Sequence, residues 1–351
     1  MTDTNTRIGW LDSLRAIAII AVIVIHVSSP VVNVAYGSNM FHWWVGNALD
    51  SAARFAVPLF LMISGAMLLS KEYNLVEFYR KRFVRVLLPF PFWMVVYWIF
   101  RWFTTPGKQP HGFQNIMNWA SDLFLKEGIS KHFWFVYLIV FLYLITPAIG
   151  SFIRKLKPEM LVFLLAAWVL ISSISKDFAV DMYGWSGNPL PKLFIYFLYC
   201  GYMVLGYYLY NIFYVSKNIR LAALILYLVT VCIAAFMAYY SSKLKGKLDL
   251  SIYNYFSLNT MIQATAVFIS LKNSSVLNKT LNKLQHTISD YSYGIYLVHI
   301  LIIGIFYKNG IFWTMTNPLI SVPLVVIMTL LASFTVIFIL RKIPFGKYIS
   351  G

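Results

Sequence analysis

LDSLRAIAIIAVIVIHVSS (residues 11–29) decides the fold, because every side chain from Ala16 to Ile25 is apolar. As an α-helix this stretch rises about 28 Å at ~1.5 Å per residue. That is close to the ~30 Å thickness of a bilayer's hydrocarbon core. Working outward, further apolar runs fall at 44–69, 86–103, 133–152, 160–175, 193–214, 219–240, 252–271, 289–307 and 319–340. The composition agrees: 60% of the 351 residues are hydrophobic and 12% charged, against about 25% charged in soluble domains. A water-soluble fold could not hide so much apolar surface. The expected fold is all-α, a polytopic transmembrane bundle of about ten spans. A single membrane-embedded domain over 1–351, with no separate soluble domain, is expected. The first run has no small-residue cleavage site followed by a soluble domain, so it reads as a retained helix and not a signal peptide. Pro58, Pro89, Pro91 and Pro147 lie in or at the ends of runs, where neighbouring helices can re-satisfy the backbone.

The formal net charge is +17, from 29 Lys and Arg against 12 Asp and Glu. These charges sit in short loops, which points to membrane topology and lipid contact, not to nucleic acid. With ten spans, 17 basic residues fall on the side of the two termini and nine on the opposite side. Both termini are therefore expected in the cytoplasm of a cell (inner or plasma) membrane. The long outer loop carries Ile116, Trp119, Ala120, Leu123 and Phe124 at helical spacing, which predicts an amphipathic helix on the outer leaflet. The next outer loop, 176–192, mixes Trp, Tyr and Asp with Gly and Pro. Cys200 and Cys232 lie in apolar runs and suggest no disulfide framework.

Ionisable residues inside spans are costly in lipid, so they mark protein-lined or watery sites. The first run carries Asp12, Arg15 and His26. Arg15 and His26, eleven positions apart, return to within about 20° of one helix face and lie about 16 Å apart along the axis. One face would thus line a polar path across much of the membrane. Asp50 and Arg54 form an i,i+4 pair with the acid first, suited either to clamping helices together or to placing a cation at a reacting centre. In FYRKRFVR (78–85), Arg82 and Arg85 share a face, with Arg80 and Lys81 beside them. Guanidinium forks suit phosphate, although the same residues serve as plain cytoplasmic charge. His299 falls mid-run among Tyr291, Tyr293 and Tyr296, and His132 precedes Trp134 and Tyr137 where an interfacial aromatic belt is expected. His42, His111 and His286 read as loop residues. The histidines show no close metal-ligand spacing, so no metal is expected.

These elements together resemble the acyltransferase-3 family. They are WLDSLRAIA (10–18) with Arg15 and His26 ten intervening residues apart, SAARFAVPLFLMISG (51–65), the pair Arg82 and Arg85, HFWFVYLIVFLYLITP (132–147) and YSYGIYLVH (291–299). The likeness spans nearly the whole chain and is nearest to stand-alone members such as the enterobacterial common antigen O-acetyltransferase. The resemblance implies transfer of an acyl group, usually acetyl, from cytoplasmic acyl-CoA as co-substrate to a hydroxyl of an extracytoplasmic polysaccharide or glycolipid. On this reading His26, Arg15 and Arg54 are catalytic. Arg82, Arg85 and Arg80 meet the CoA phosphates, and Asp12, Asp50, Trp134, Tyr137 and His299 support them. Direct attack by a His26-activated hydroxyl and an acyl-His26 intermediate both fit. The alternative from another class is a transporter or flippase of glycan precursors using the same polar face.

Overall fold

The computed structural model describes residues 8–104, 117–118, 129–180, 189–274 and 278–351. Among them the regular structure is helical: α1 Gly9–Ala35, α2 Met40–Ala53, α3 Ala56–Leu68, α4 Leu75–Leu87, α5 Pro89–Thr104, α6 Trp134–Ile153, α7 Pro158–Val180, α8 Pro189–Asn211, α9 Lys217–Lys245, α10 Leu258–Leu271, α11 Lys279–Lys308 and α12 Pro318–Lys342. Nine helices or end-to-end helix pairs among the described residues are long and apolar enough to cross a membrane. The chain is a multi-pass membrane protein.

Local chemistry sets the boundaries. Asn39, Asn74, Ser216, Ser257, Asn278 and Asn317 each cap a helix, the side-chain oxygen accepting from a backbone N–H of the first turn. The long second run is two helices, not one. Pro58 has no N–H to offer the carbonyl of Arg54, four residues earlier, and the chain turns at Arg54 and Phe55. Pro89 likewise separates α4 from α5 by opening a new helix at its first position.

The eighth run, 252–271, departs most from expectation. Its helix is only the 14 residues of α10, about 21 Å long and short of a ~30 Å core. The first part of the run is a 3-10 turn, Ser251–Tyr253, and a buried loop. Irregular backbone of this kind survives in membrane proteins when it is enclosed by protein or lines a cavity. The preceding helix α9 is about 43 Å long by its 29 residues. It is longer than a ~30 Å hydrocarbon core, and Lys243 and Lys245 lie in its last turn. His42 and His286 stand on α2 and α11 and not in loops. The amphipathic helix expected around Trp119, and His111, lie outside the described residues apart from Met117 and Asn118.

Helix α1 is the hub, packed on α2, α3, α10, α11 and α12. The tightest crossing joins α3 to α8. A Cβ on Gly65 would lie 1.9 Å from the Met203 carbonyl oxygen, and one on Gly206 would lie 2.0 Å from that of Met62. Two glycines thus let the backbones touch, the packing device of small residues in membrane helices.

Candidate active site

Three histidines from three distant segments meet inside the bundle. The ring centroids of His26 (α1) and His299 (α11) are 5.2 Å apart, and those of His299 and His132 are 5.4 Å apart. His299 Nδ1 lies 2.7 Å from the carbonyl oxygen of Tyr296. A carbonyl can only accept, so Nδ1 carries the proton and the neutral ring presents a lone pair at Nε2. That Nε2, like His132 Nε2, is buried without a hydrogen-bond partner among the described residues. His132 Nδ1 is 2.6 Å from Ser130 Oγ, and the Tyr296 hydroxyl donates to the His132 carbonyl. His26 is partly accessible, unlike the other two.

A side chain from α5 reaches the backbone of α11 at this level. The Tyr97 hydroxyl, from α5, donates to the Leu297 carbonyl (3.1 Å) and accepts from the Leu301 N–H (2.9 Å). Those two backbone groups pair with each other in an unbroken helix. A side chain inserted into the ladder is a recognised cause of helix bending, and here it flanks His299.

Across from His26 stands a positioned cation. Arg54 forms an ion pair with fully buried Asp50 at 2.5 Å, and its guanidinium lies 4.2 Å from the Tyr253 ring centroid. The other Asp50 oxygen accepts from Ser29 Oγ at 2.9 Å. Ser29 is one turn beyond His26 on α1, so this contact fixes the Arg54 pair against the His26 face. The Tyr253 hydroxyl donates to Asn47 Oδ1 and accepts from Ser51 Oγ at 3.2 Å. The irregular segment before α10 therefore holds the ring under Arg54. The Arg54 Nε–H has no hydrogen-bond partner among the described residues, which leaves a donor for an incoming oxygen.

Toward the other end of α1 lies a cavity of about 660 Å³. Arg15, Arg82, Arg85 and Lys71 line it, and Phe60, Phe135 and Tyr296 are also on its wall. Asp12 pairs with Arg15 (3.2 Å) and with His286 Nδ1 (2.7 Å), and accepts from Ser289 Oγ (2.7 Å), tying α1 to α11. The Arg15 guanidinium also touches the Met67 sulfur. Arg80 is exposed on α4 and is not on the cavity wall.

The continuous polar face expected between Arg15 and His26 is absent. Ala18, Ile19 and Val22 occupy that stripe, and all are buried in the core. Arg15 lines the cavity and His26 does not. The connection runs instead through aromatic rings: Tyr296, on the cavity wall, lies 5.7 Å from His299, which lies against His26. Trp134 stacks on Tyr255 at 6.0 Å, and Tyr137 meets Phe90 edge-on at 5.4 Å, so both sit in the aromatic packing and not on the cavity wall.

A model of the acyltransferase-3 family, described as an acyltransferase domain, matches residues 8–339. The chain belongs to this acyltransferase family. No curated protein and no solved structure matches it. Several groups around the candidate site carry little local signal in the sequence. His132 stands where Trp134 and Tyr137 predict an interfacial aromatic belt, but it is buried beside His299, and its place within the family-like segment 132–147 is the signal for it. Lys71, Tyr97 and Tyr253 gave none. Their neighbours in space are remote in sequence.

Proposed function

We propose that the protein moves an acyl group, acetyl in the first instance, from cytoplasmic acyl-CoA to a hydroxyl of an extracytoplasmic cell-surface glycan. Membership of the family supplies acyl transfer. The observation that carries the finer reading is the pairing of His26 with the Arg54–Asp50–Ser29 assembly on the same helix face. An imidazole beside a desolvated, fixed guanidinium is the equipment for hydroxyl attack on a thioester.

In the proposed reaction His26 takes the acceptor proton as the hydroxyl oxygen bonds to the thioester carbonyl carbon. Arg54 holds the resulting oxyanion. Collapse of the intermediate breaks the C–S bond, and the departing thiolate recovers the proton to give CoA thiol. Attack by His26 itself, giving an acyl-imidazole that the hydroxyl then cleaves, uses the same residues. His299, with its lone pair at Nε2, is placed to orient or relieve His26.

The cavity lined by Arg15, Lys71, Arg82 and Arg85 suits the polyphosphate end of the donor, with Phe60, Phe135 and Ile139 suited to its less polar arm. For the acyl group to reach His26, side chains at the Phe60, Phe135 and Tyr296 end must shift. With this orientation both termini lie in the cytoplasm of the inner or plasma membrane. The acceptors that suit it are surface polysaccharides and glycolipids, enterobacterial common antigen among them.

The test uses purified protein in nanodiscs with radiolabelled acetyl-CoA and a panel of glycans. Labelled glycan with matching CoA thiol supports the proposal, and a folded His26→Ala variant must lose both. Stimulated glycan movement without thiol release would establish transport instead.

A further inference from the structure

Beside the donor cavity lies a second, shallower recess of about 540 Å³. Four cations face it from opposite ends of the sequence: Lys81 and Arg85 on α4, Arg341 near the end of α12, and Lys347 in the turn that follows. Arg85 and Asp290 border both spaces, so recess and cavity share a rim. On α4 Arg85 is four residues from Lys81 and three from Arg82, which sets it between them. Lys81 belongs to the recess and Arg82 to the cavity.

The cations differ in what already holds them. Arg341 donates to the backbone oxygens of Asp290 and Gly351, both at 2.8 Å, and lies 3.9 Å from the Tyr291 ring centroid. It is a strut that ties the last turn to α11, helped by the Trp93 indole N–H on the Ile349 carbonyl at 2.9 Å. Lys81 shares an exposed ion pair with Glu77 at 2.5 Å. Lys347 lies 5.0 Å from the Tyr348 ring centroid, and neither it nor Arg85 has an ion pair among the described residues. Asp290 is the one acidic side chain among the described residues on the wall. The described side chains give the recess a positive balance, one arginine away from the cavity.

We infer that this recess seats the 3′-phosphate of a CoA thioester, while the diphosphate and the acyl arm occupy the cavity. The inference rests on the acyl-CoA reading above. CoA carries its charge in two separate places, a diphosphate and a ribose phosphomonoester, and two basic spaces joined at one arginine match that division. A lysine ammonium is a compact charge suited to a terminal phosphate, and the guanidinium of Arg85 can bridge to the neighbouring group. A lipid phosphodiester would use only one of the two spaces.

The experiment compares binding of CoA and dephospho-CoA, which differ only in that phosphate, to the full chain in nanodiscs by calorimetry. The wild type should bind CoA at least ten-fold more tightly. Lys347→Gln and Lys81→Gln should each cut that preference several-fold, with thermal melting matched to wild type to show that the fold is kept. Equal binding of the two nucleotides by wild type, or an undiminished preference in both variants, would overturn the inference. So would variants that change phosphatidylglycerol retention in anionic nanodiscs without moving the nucleotide preference, because the recess would then be a lipid site. Acyl transfer is read in parallel. A 3′-phosphate preference without turnover removes the proposed function and keeps the recess. Turnover that uses acetyl-CoA and acetyl-dephospho-CoA equally does the reverse.

Discussion

Asp50→Asn separates a structural Arg54 from a chemical one. Asp50 is fully buried and holds Arg54 at 2.5 Å. Removing one partner of a buried pair leaves an uncompensated charge and costs about 3–5 kcal/mol. At about 2 °C per kcal/mol for a large chain, the apparent melting temperature in detergent should fall by roughly 6–10 °C. The double variant Asp50→Asn with Arg54→Met removes the orphaned cation, and replacing both ions by uncharged groups is often neutral. Its melting temperature should recover most of the loss. Activity should not recover, since losing an oxyanion donor costs about 10²–10³ in kcat. Melting by intrinsic fluorescence and thiol release from acetyl-CoA read the two effects independently. A double variant that regains wild-type turnover would make Arg54 a clamp only. An Asp50→Asn protein as stable as wild type would refute the desolvated pair itself.

Other perturbations test neighbouring parts. Tyr97→Phe removes the hydroxyl set into α11; we expect a loss of about 1–3 kcal/mol from the two backbone groups it serves, and hydrogen exchange at Leu301 should rise. Unchanged exchange there would mean the ladder closes by itself. Gly65→Val drives a side chain into the Met203 carbonyl, overpacking that costs at least about 1–3 kcal/mol, and should lower the yield of folded protein in detergent extraction. Lys272→Met deletes an ammonium that donates to the carbonyls of Leu209, Tyr210 and Phe213 at 2.5, 3.1 and 2.7 Å. With hydrogen bonds to charged groups worth about 1.5–3 kcal/mol each, protease nicking near 209–213 should increase. Resistance equal to wild type would show that those carbonyls find other donors.

The spans, the intramembrane ionisable residues and the basic approach on α4 were legible because each is a local property of the chain. Hydropathy finds apolar length, and an Arg or His inside it stands out by its cost in lipid. What escaped was three-dimensional. The run 252–271 is as apolar as a spanning helix, but Tyr253 and Phe256 are buried in protein and not in lipid; hydropathy cannot separate the two environments. Helical spacing puts Ile19 and Val22 on the same face between Arg15 and His26, but it does not say what those apolar side chains pack against in the bundle. His132 and His299, 167 positions apart, come together only through the packing of α5, α6 and α11.

The glycine contact between α3 and α8 has a consequence for how a donor could be admitted. With Gly65 against Met203 and Gly206 against Met62, neither helix can slide or roll past the other without a backbone collision. Phe60, Ser64 and Met67 ride on α3, so that wall of the cavity moves only together with α8. α4 and α6 carry Arg82, Arg85, Phe135 and Tyr143 on other parts of the wall, and a shift of those helices would leave the glycine contact intact.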